Sequence, residues 1–263
     1  MRFIKATASI LAVFTLVMTS MHCNQSNEKQ QATAYFARKL TELSGDFNRY
    51  YSYRYSNIKL FDEFRALDAS SQPVDRKKFL DLLSTGDFMP LKVDNKPTYQ
   101  LFRLPEGAEP SVSRDIKYFA AAEIFSTGME GKPLPSFTFK DVHGKTWTNA
   151  DLKDKIVLIK CWFIACKPCV EEFPEANQLV TDNGQRDDIL FLSLALDKAK
   201  ELKSFLQKKE LAYHTIPEAE PFLTNSLFVK AYPTHILLDK SGAIVRYRNR
   251  IREIIPAFEK LKL

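Results

Sequence analysis

Residues 155–174, KIVLIKCWFIACKPCVEEFP, hold the pattern that decides the fold. An apolar run interrupted only by Lys160 is what a strand buried on both faces requires. A helix is expected to begin at the cysteine pair that follows, so Cys166-x-x-Cys169 stands where a buried strand gives way to a helix. The free N–H groups and partial positive charge of a helix N-terminus favour a thiolate at the first cysteine. Cys166 is therefore the candidate nucleophile. Cys169, three residues on, lies within disulfide reach and is the candidate resolving thiol. Lys167 adds a cation that further favours the thiolate, and Pro168 presets a helical φ early in the helix, where an N–H is not needed. A structural disulfide and half of a metal site are the alternatives. No second pair completes a zinc site, and no spacing ties His214 or His235, which a copper carrier would recruit, to these cysteines.

Downstream, the expected order is strand 188–196, helix 198–210, a short strand near 213–216, a helical stretch near 222–230, two strands around Ser241-Gly242, and a helix over 253–263. Upstream, FTF and TWT flank a turn at Gly144. Strands alternating with helices and closing on a hairpin describe an α/β sheet covered on both faces.

The order strand-W-x-x-x-C-x-x-C-x-x-E-x-P, here Trp162, Cys166, Cys169, Glu172 and Pro174, with Tyr232-Pro233-Thr234 ahead of a later strand, resembles the TlpA/ResA-like branch of the thioredoxin superfamily. These are membrane-tethered thiol–disulfide oxidoreductases of the bacterial cell envelope. The resemblance covers residues 131–263, about half of the chain. It implies a thioredoxin-like fold with a central mixed sheet. It also implies that Pro233 is cis and faces the disulfide, and that the backbone at Tyr232 pairs with substrate, with Thr234 beside it. Client protein thiols or disulfides become the partners, with a membrane electron donor if the protein is a reductant. The redox-active disulfide serves in place of any cofactor, and no metal is expected. Glu172 matches the acidic residue of that family. Its spacing of three from Cys169 puts it on the same helix face, where a carboxylate can take the proton of Cys169. Glu171 points elsewhere. Lys160 departs from the family pattern: a buried lysine needs a partner, so it is expected to approach Glu172 or the disulfide, unless its amine snorkels out. Cys161, facing the other way, is expected to be an inert core thiol.

Two rival functions remain. A thiol peroxidase of the peroxiredoxin type needs Thr or Ser three residues before its cysteine and Pro four before that, where this chain has Phe163 and Ile159. A binding or assembly module would keep the disulfide as a structural element.

The first part of the chain is less telling. MRFIK followed by an uncharged, mostly apolar run to Met21 has the layout of a secretory signal, and Cys23 stands where lipoproteins carry their acylated cysteine. Its neighbours His22 and Ser20 replace the usual small and aliphatic residues, so ordinary cleavage near Ser20 is the alternative. Residues 1–23 are thus expected to be a signal peptide, with membrane contact only through a lipid anchor and an extracytoplasmic, periplasmic location. The 263 residues carry a net charge of +6, or +4 without Arg2 and Lys5, too little to imply nucleic acid. Two Gly and two Pro in TGMEGKPLP mark a boundary near residue 130. Residues 24–130 form a smaller α+β accessory domain on this reading, with helices over 32–43, 70–86 and 113–125. Tyr51, Tyr53 and Tyr55, at period two, suggest a strand. Arg246, Arg248, Arg250 and Arg252 alternate along the last strand and read as a solvated edge.

Overall fold

The computed structural model describes residues 30–263, so the signal segment and Cys23 lie outside the described residues. No described helix is long and apolar enough to cross a membrane. The chain divides into two units at Ala122/Glu123.

In the first unit, helix α1 covers residues 30–44. Asp46 then starts α2 (Phe47–Asn57) by accepting from the Arg49 N–H at 3.1 Å. The tyrosines expected in a strand are therefore helical. Tyr50 and Tyr53 turn inward at a spacing of three, the Tyr53 hydroxyl accepting from the Lys92 N–H at 2.9 Å, while Tyr51 and Tyr55 are exposed. Period two was a coincidence of composition, and the α2 cap and core contacts override the strand propensity of Tyr. Strands β1 (Arg65–Leu67) and β2 (Pro73–Val74) follow. Helix α3 (Arg76–Ser84) is capped by Asp75, so it begins after Pro73 rather than at Ser70. With β3 (Phe88–Lys92) and β4 (Thr98–Arg103) the sheet runs β2-β1-β4-β3, and only β1 and β4 are parallel. Phe79, Leu83, Met89, Leu101 and Ile116 are among the residues of its core.

Helix α4 (Pro110–Met129) is longer than its apolar stripe suggested and contains the division between the units. Ser113, expected as its N-cap, instead donates to the Gly86 carbonyl at 2.9 Å. Gly86 has φ +76°, and a Cβ there would overlap the Lys117 side chain and lie 2.7 Å from Ser113 Oγ. Gly86→Ala should accordingly lower the stability of this unit by about 1–3 kcal/mol, read as a fall in the urea midpoint.

The second unit is the α/β domain the sequence led us to expect. After the hairpin β5 (Thr138–Lys140) and β6 (Thr146–Thr148) come β7 (Ile156–Trp162), α5 (Lys167–Glu171), α6 (Phe173–Asn183), β8 (Ile189–Ala195) and α7 (Ala199–Leu206). The chain continues through β9 (His214–Ile216), α8 (Glu220–Asn225), β10 (Thr234–Leu238), β11 (Ile244–Arg248) and α9 (Ile255–Leu261). The sheet order is β11-β10-β7-β8-β9, with β7, β8 and β9 parallel and β10 antiparallel to both of its neighbours. Two cores cover its faces. Val157, Ile159 and Cys161 of β7 enter one, and Ile156, Leu158 and Trp162 enter the other together with Cys166 and Cys169. The arginines of β11 do not form a solvated edge. Arg246 and Arg248 both pair with Glu130, at 3.3 and 3.0 Å, and Arg248 is buried. Alternation in sequence shows which residues share a side of a strand but not whether a carboxylate meets them there.

Candidate active site

Strand β7 is buried at all seven positions and ends at Trp162, whose ring meets Phe173 edge-on at 4.9 Å. The loop beyond it is tied down by Asp197, which accepts from the Ile164 N–H at 2.8 Å, and by the Cys166 N–H donating to the Phe163 carbonyl at 3.1 Å. Cys166 occupies the N-cap of α5, where its extended backbone directs Sγ toward the Cys169 N–H, 3.3 Å away. Cys166 and Cys169 form a disulfide with their Cα atoms 5.2 Å apart, and both are buried. Pro168 lies in the first turn of α5. Lys167 is 85% exposed and reaches forward along α5 to Glu171 at 3.7 Å.

Tyr232–Pro233 is a cis peptide bond. The Tyr232 ring stands edge-on to Phe163 at 5.4 Å and packs against the cluster that holds the disulfide. Thr234 is buried, its hydroxyl donating to the Ala231 carbonyl at 2.7 Å. Asn249, which carried no signal in the sequence, donates from Nδ2 to the Pro233 carbonyl at 3.1 Å and to Thr234 Oγ1 at 2.9 Å, holding this loop from the residue just after β11.

Beneath the cysteines lies a charged cluster. Glu172 is the single residue between α5 and α6, and its carboxylate turns toward the sheet. Oε2 accepts from Lys160 Nζ at 2.7 Å and from His235 Nε2 at 2.8 Å, and Oε1 accepts from the Ile251 N–H at 3.1 Å. Lys160 does not snorkel: it and His235 have no exposed surface, and Glu172 is 17% exposed. Burial pushes the Glu172 carboxyl upward, but the His235 hydrogen bond and the charges around it outweigh that and bring it down to about 2. Burial lowers the pKa of Lys160 and of His235, and Glu172 opposes the shift in each case. A carboxylate held this far down is a weak base, which sets a limit on the proton-accepting role expected of Glu172.

His235 was the residue sequence reasoning missed as a site component. The signal was present: Lys160 and His235 are the basic residues of two otherwise uncharged strands, and buried polar groups require partners. The β7/β10 register puts them directly opposite one another. His214, the other histidine considered for a metal, meets the Trp147 ring at a tilt, with centroids 4.7 Å apart, and Trp147 belongs to the core on the opposite face. Cys161 is buried there too, its thiol pushed up to about 12 by burial.

A five-stranded mixed sheet, a disulfide capping the helix that leaves its central strand, and a cis-proline loop whose Tyr232 packs on the cluster holding that disulfide define the second unit as a thioredoxin-like domain. Its residues 131–247 match the AhpC/TSA family. The chain is 29% identical over 116 residues to the thiol-disulfide oxidoreductase ResA of Bacillus cereus, covering 44% of this chain and 66% of that relative. It is 26% identical over 117 residues to the thioredoxin-like protein YneN of Bacillus subtilis, covering 44% and 68%. Among solved structures, the thioredoxin domain of a thiol-disulfide oxidoreductase from Bacteroides vulgatus aligns with 50% of this chain and 96% of its own length, at 21% identity and a TM-score of 0.46. Over this stretch the second unit is similar to the ResA-type thiol-disulfide oxidoreductases, and the chain spans just under two thirds of the length of the ResA relative.

Proposed function

We propose that this protein is an extracytoplasmic thiol–disulfide oxidoreductase that exchanges disulfides with client proteins, running chiefly as a reductant. The observation that carries the reading is the Cys166–Cys169 disulfide at a helix cap, with the cis Tyr232–Pro233 loop packed on its cluster. In the reduced protein the Cys166 thiolate attacks a client disulfide, one client sulfur leaves as a thiolate, and a mixed disulfide forms. Tyr232 and Pro233 hold the client backbone. Cys169 gives up its proton, attacks Cys166 Sγ and expels the second client sulfur. The client is then reduced and the pair oxidised, to be reduced again by a membrane donor. The disulfide carries both electrons, so the cycle calls for no bound cofactor. Glu172 holds Lys160 and His235 in place rather than keeping the proton itself. A signal peptide over residues 1–23, with a lipid anchor at Cys23, would place the domain outside the cytoplasm, and residues 24–130 would supply client recognition or spacing.

Equilibrium titration of the Cys161→Ala protein against thiol buffers tests this reading. A reversible two-electron transition near or below about −250 mV is expected of a reductant, whereas a value above about −150 mV would indicate an oxidant. Absence of any transition would leave the disulfide structural and the protein a binding module.

A further inference from the structure

Five buried polar residues lie in register across the whole sheet of the second unit: Arg248, His235, Lys160, Ser193 and Thr215, on β11, β10, β7, β8 and β9 in turn. Ser193 and Thr215 satisfy one another, with their hydroxyls 2.8 Å apart. Lys160 and His235 converge instead on one oxygen of Glu172. Because a carboxylate only accepts, His235 must donate from Nε2, which leaves Nδ1 with a bare lone pair in the neutral ring. Nδ1 makes no hydrogen bond among the described residues. Protonation there would convert the His235–Glu172 contact into an ion pair without moving an atom. Glu172 is one helical turn beyond Cys169, so a charge on the active-site sulfurs is felt by this cluster.

On the reading above that Cys166 and Cys169 are a redox pair, we propose that His235 is a redox-coupled proton acceptor, taking a proton at Nδ1 when the disulfide is reduced and releasing it on reoxidation. The balance is complete: the disulfide and two electrons from a dithiol give a Cys166 thiolate and a Cys169 thiol with one proton. A second proton goes to His235, and the dithiol becomes a disulfide. The new negative charge drives the uptake. A unit charge about 10 Å away, at an effective permittivity near 20, changes a proton affinity roughly ten- to twentyfold. The charged and titratable groups around His235 set the starting point. Lys160 of β7 opposes protonation and Glu172 at the α5–α6 junction favours it. Arg248 is its register neighbour on β11 and is paired with Glu130. Tyr213, ahead of β9, stays protonated because of burial and the charge of Glu172. In the oxidised protein burial lowers the proton affinity of the ring and so favours its neutral form.

The test is the midpoint potential of the pair as a function of pH, in the wild-type chain and in His235→Gln, which can still donate to Glu172 but cannot titrate. Between the proton affinities of His235 in its two redox states, the wild type should take up one proton more than the variant. In that span its redox equilibrium constant changes tenfold more per pH unit, about 30 mV. Superposable curves would overturn the proposal and would point to Lys160 or the thiols themselves. A missing two-electron transition would sink the underlying reading as well, so the two failures are distinguishable. If His235→Gln does not fold, nitrogen NMR of the wild-type imidazole decides. Nδ1 should titrate about one pH unit or more higher in the reduced protein, and equal titration in both states overturns the proposal.

Discussion

Cys166→Ser should reduce disulfide exchange with a client by more than about a thousandfold, because a hydroxyl at that position supplies no thiolate and no other group takes its place. Cys169→Ser should instead leave the first step intact and stop the second, so the client accumulates as a mixed disulfide on Cys166. The two outcomes differ because Cys166 caps α5 while Cys169 lies one turn inside it with no exposed surface. Non-reducing electrophoresis with a disulfide-bearing client checks both: a covalent adduct with Cys169→Ser and none with Cys166→Ser. Retained client turnover in Cys166→Ser would remove the nucleophile from the mechanism.

The largest expected loss of stability comes from Glu172→Ala. It strands Lys160 in a sheet interior with no carboxylate to receive its ammonium, and breaking a buried ion pair from one side costs about 3–5 kcal/mol. Lys160→Met should cost less, since Glu172 keeps His235 and the Ile251 N–H and remains 17% exposed. In the double variant the penalties should be far from additive. Chemical denaturation of the three proteins measures this, and equal losses for the two single variants would contradict it. The same carboxylate governs the response to acid. Its pKa falls from 4.5 to about 2 on folding, so below about pH 5 the unfolded chain binds the proton that the folded one refuses. Stability is lost as pH drops from about 5 to about 2, roughly 3 kcal/mol in all. His235 acts in the same direction at higher pH. Burial lowers its pKa, so the unfolded state gains protons first as pH falls through about 6.5.

How much of this was legible in the sequence follows from where local chemistry is decisive. Residues 155–174 fixed a buried strand, a break and a helix with cysteines at its start, because each depends on neighbours a few positions away. Lys160 announced a partner for the same reason: an ammonium in an apolar run cannot stand alone. His235 and Asn249 escaped because their roles depend on the register between β10, β7 and β11, which no short window contains. The first unit misled for a related reason. Tyr51, Tyr53 and Tyr55 fit a pleated strand by type, and only the Asp46 cap with the inward placement of Tyr50 and Tyr53 reveals the helix.

The Cys166–Cys169 bond spans a sequence separation of three. Closing so small a ring removes little freedom from an unfolded chain, about 2 kcal/mol by loop entropy, against about 4.7 for a ring of a hundred residues. Residues packed on both faces of the sheet, from Leu158 and Leu237 on one side to Ile159 and Ile236 on the other, hold the architecture whether or not the sulfurs are joined. A bond that is to be made and broken at each turnover sits where its loss leaves the chain nearly as constrained as before, so chemistry and foldedness are kept apart within one domain.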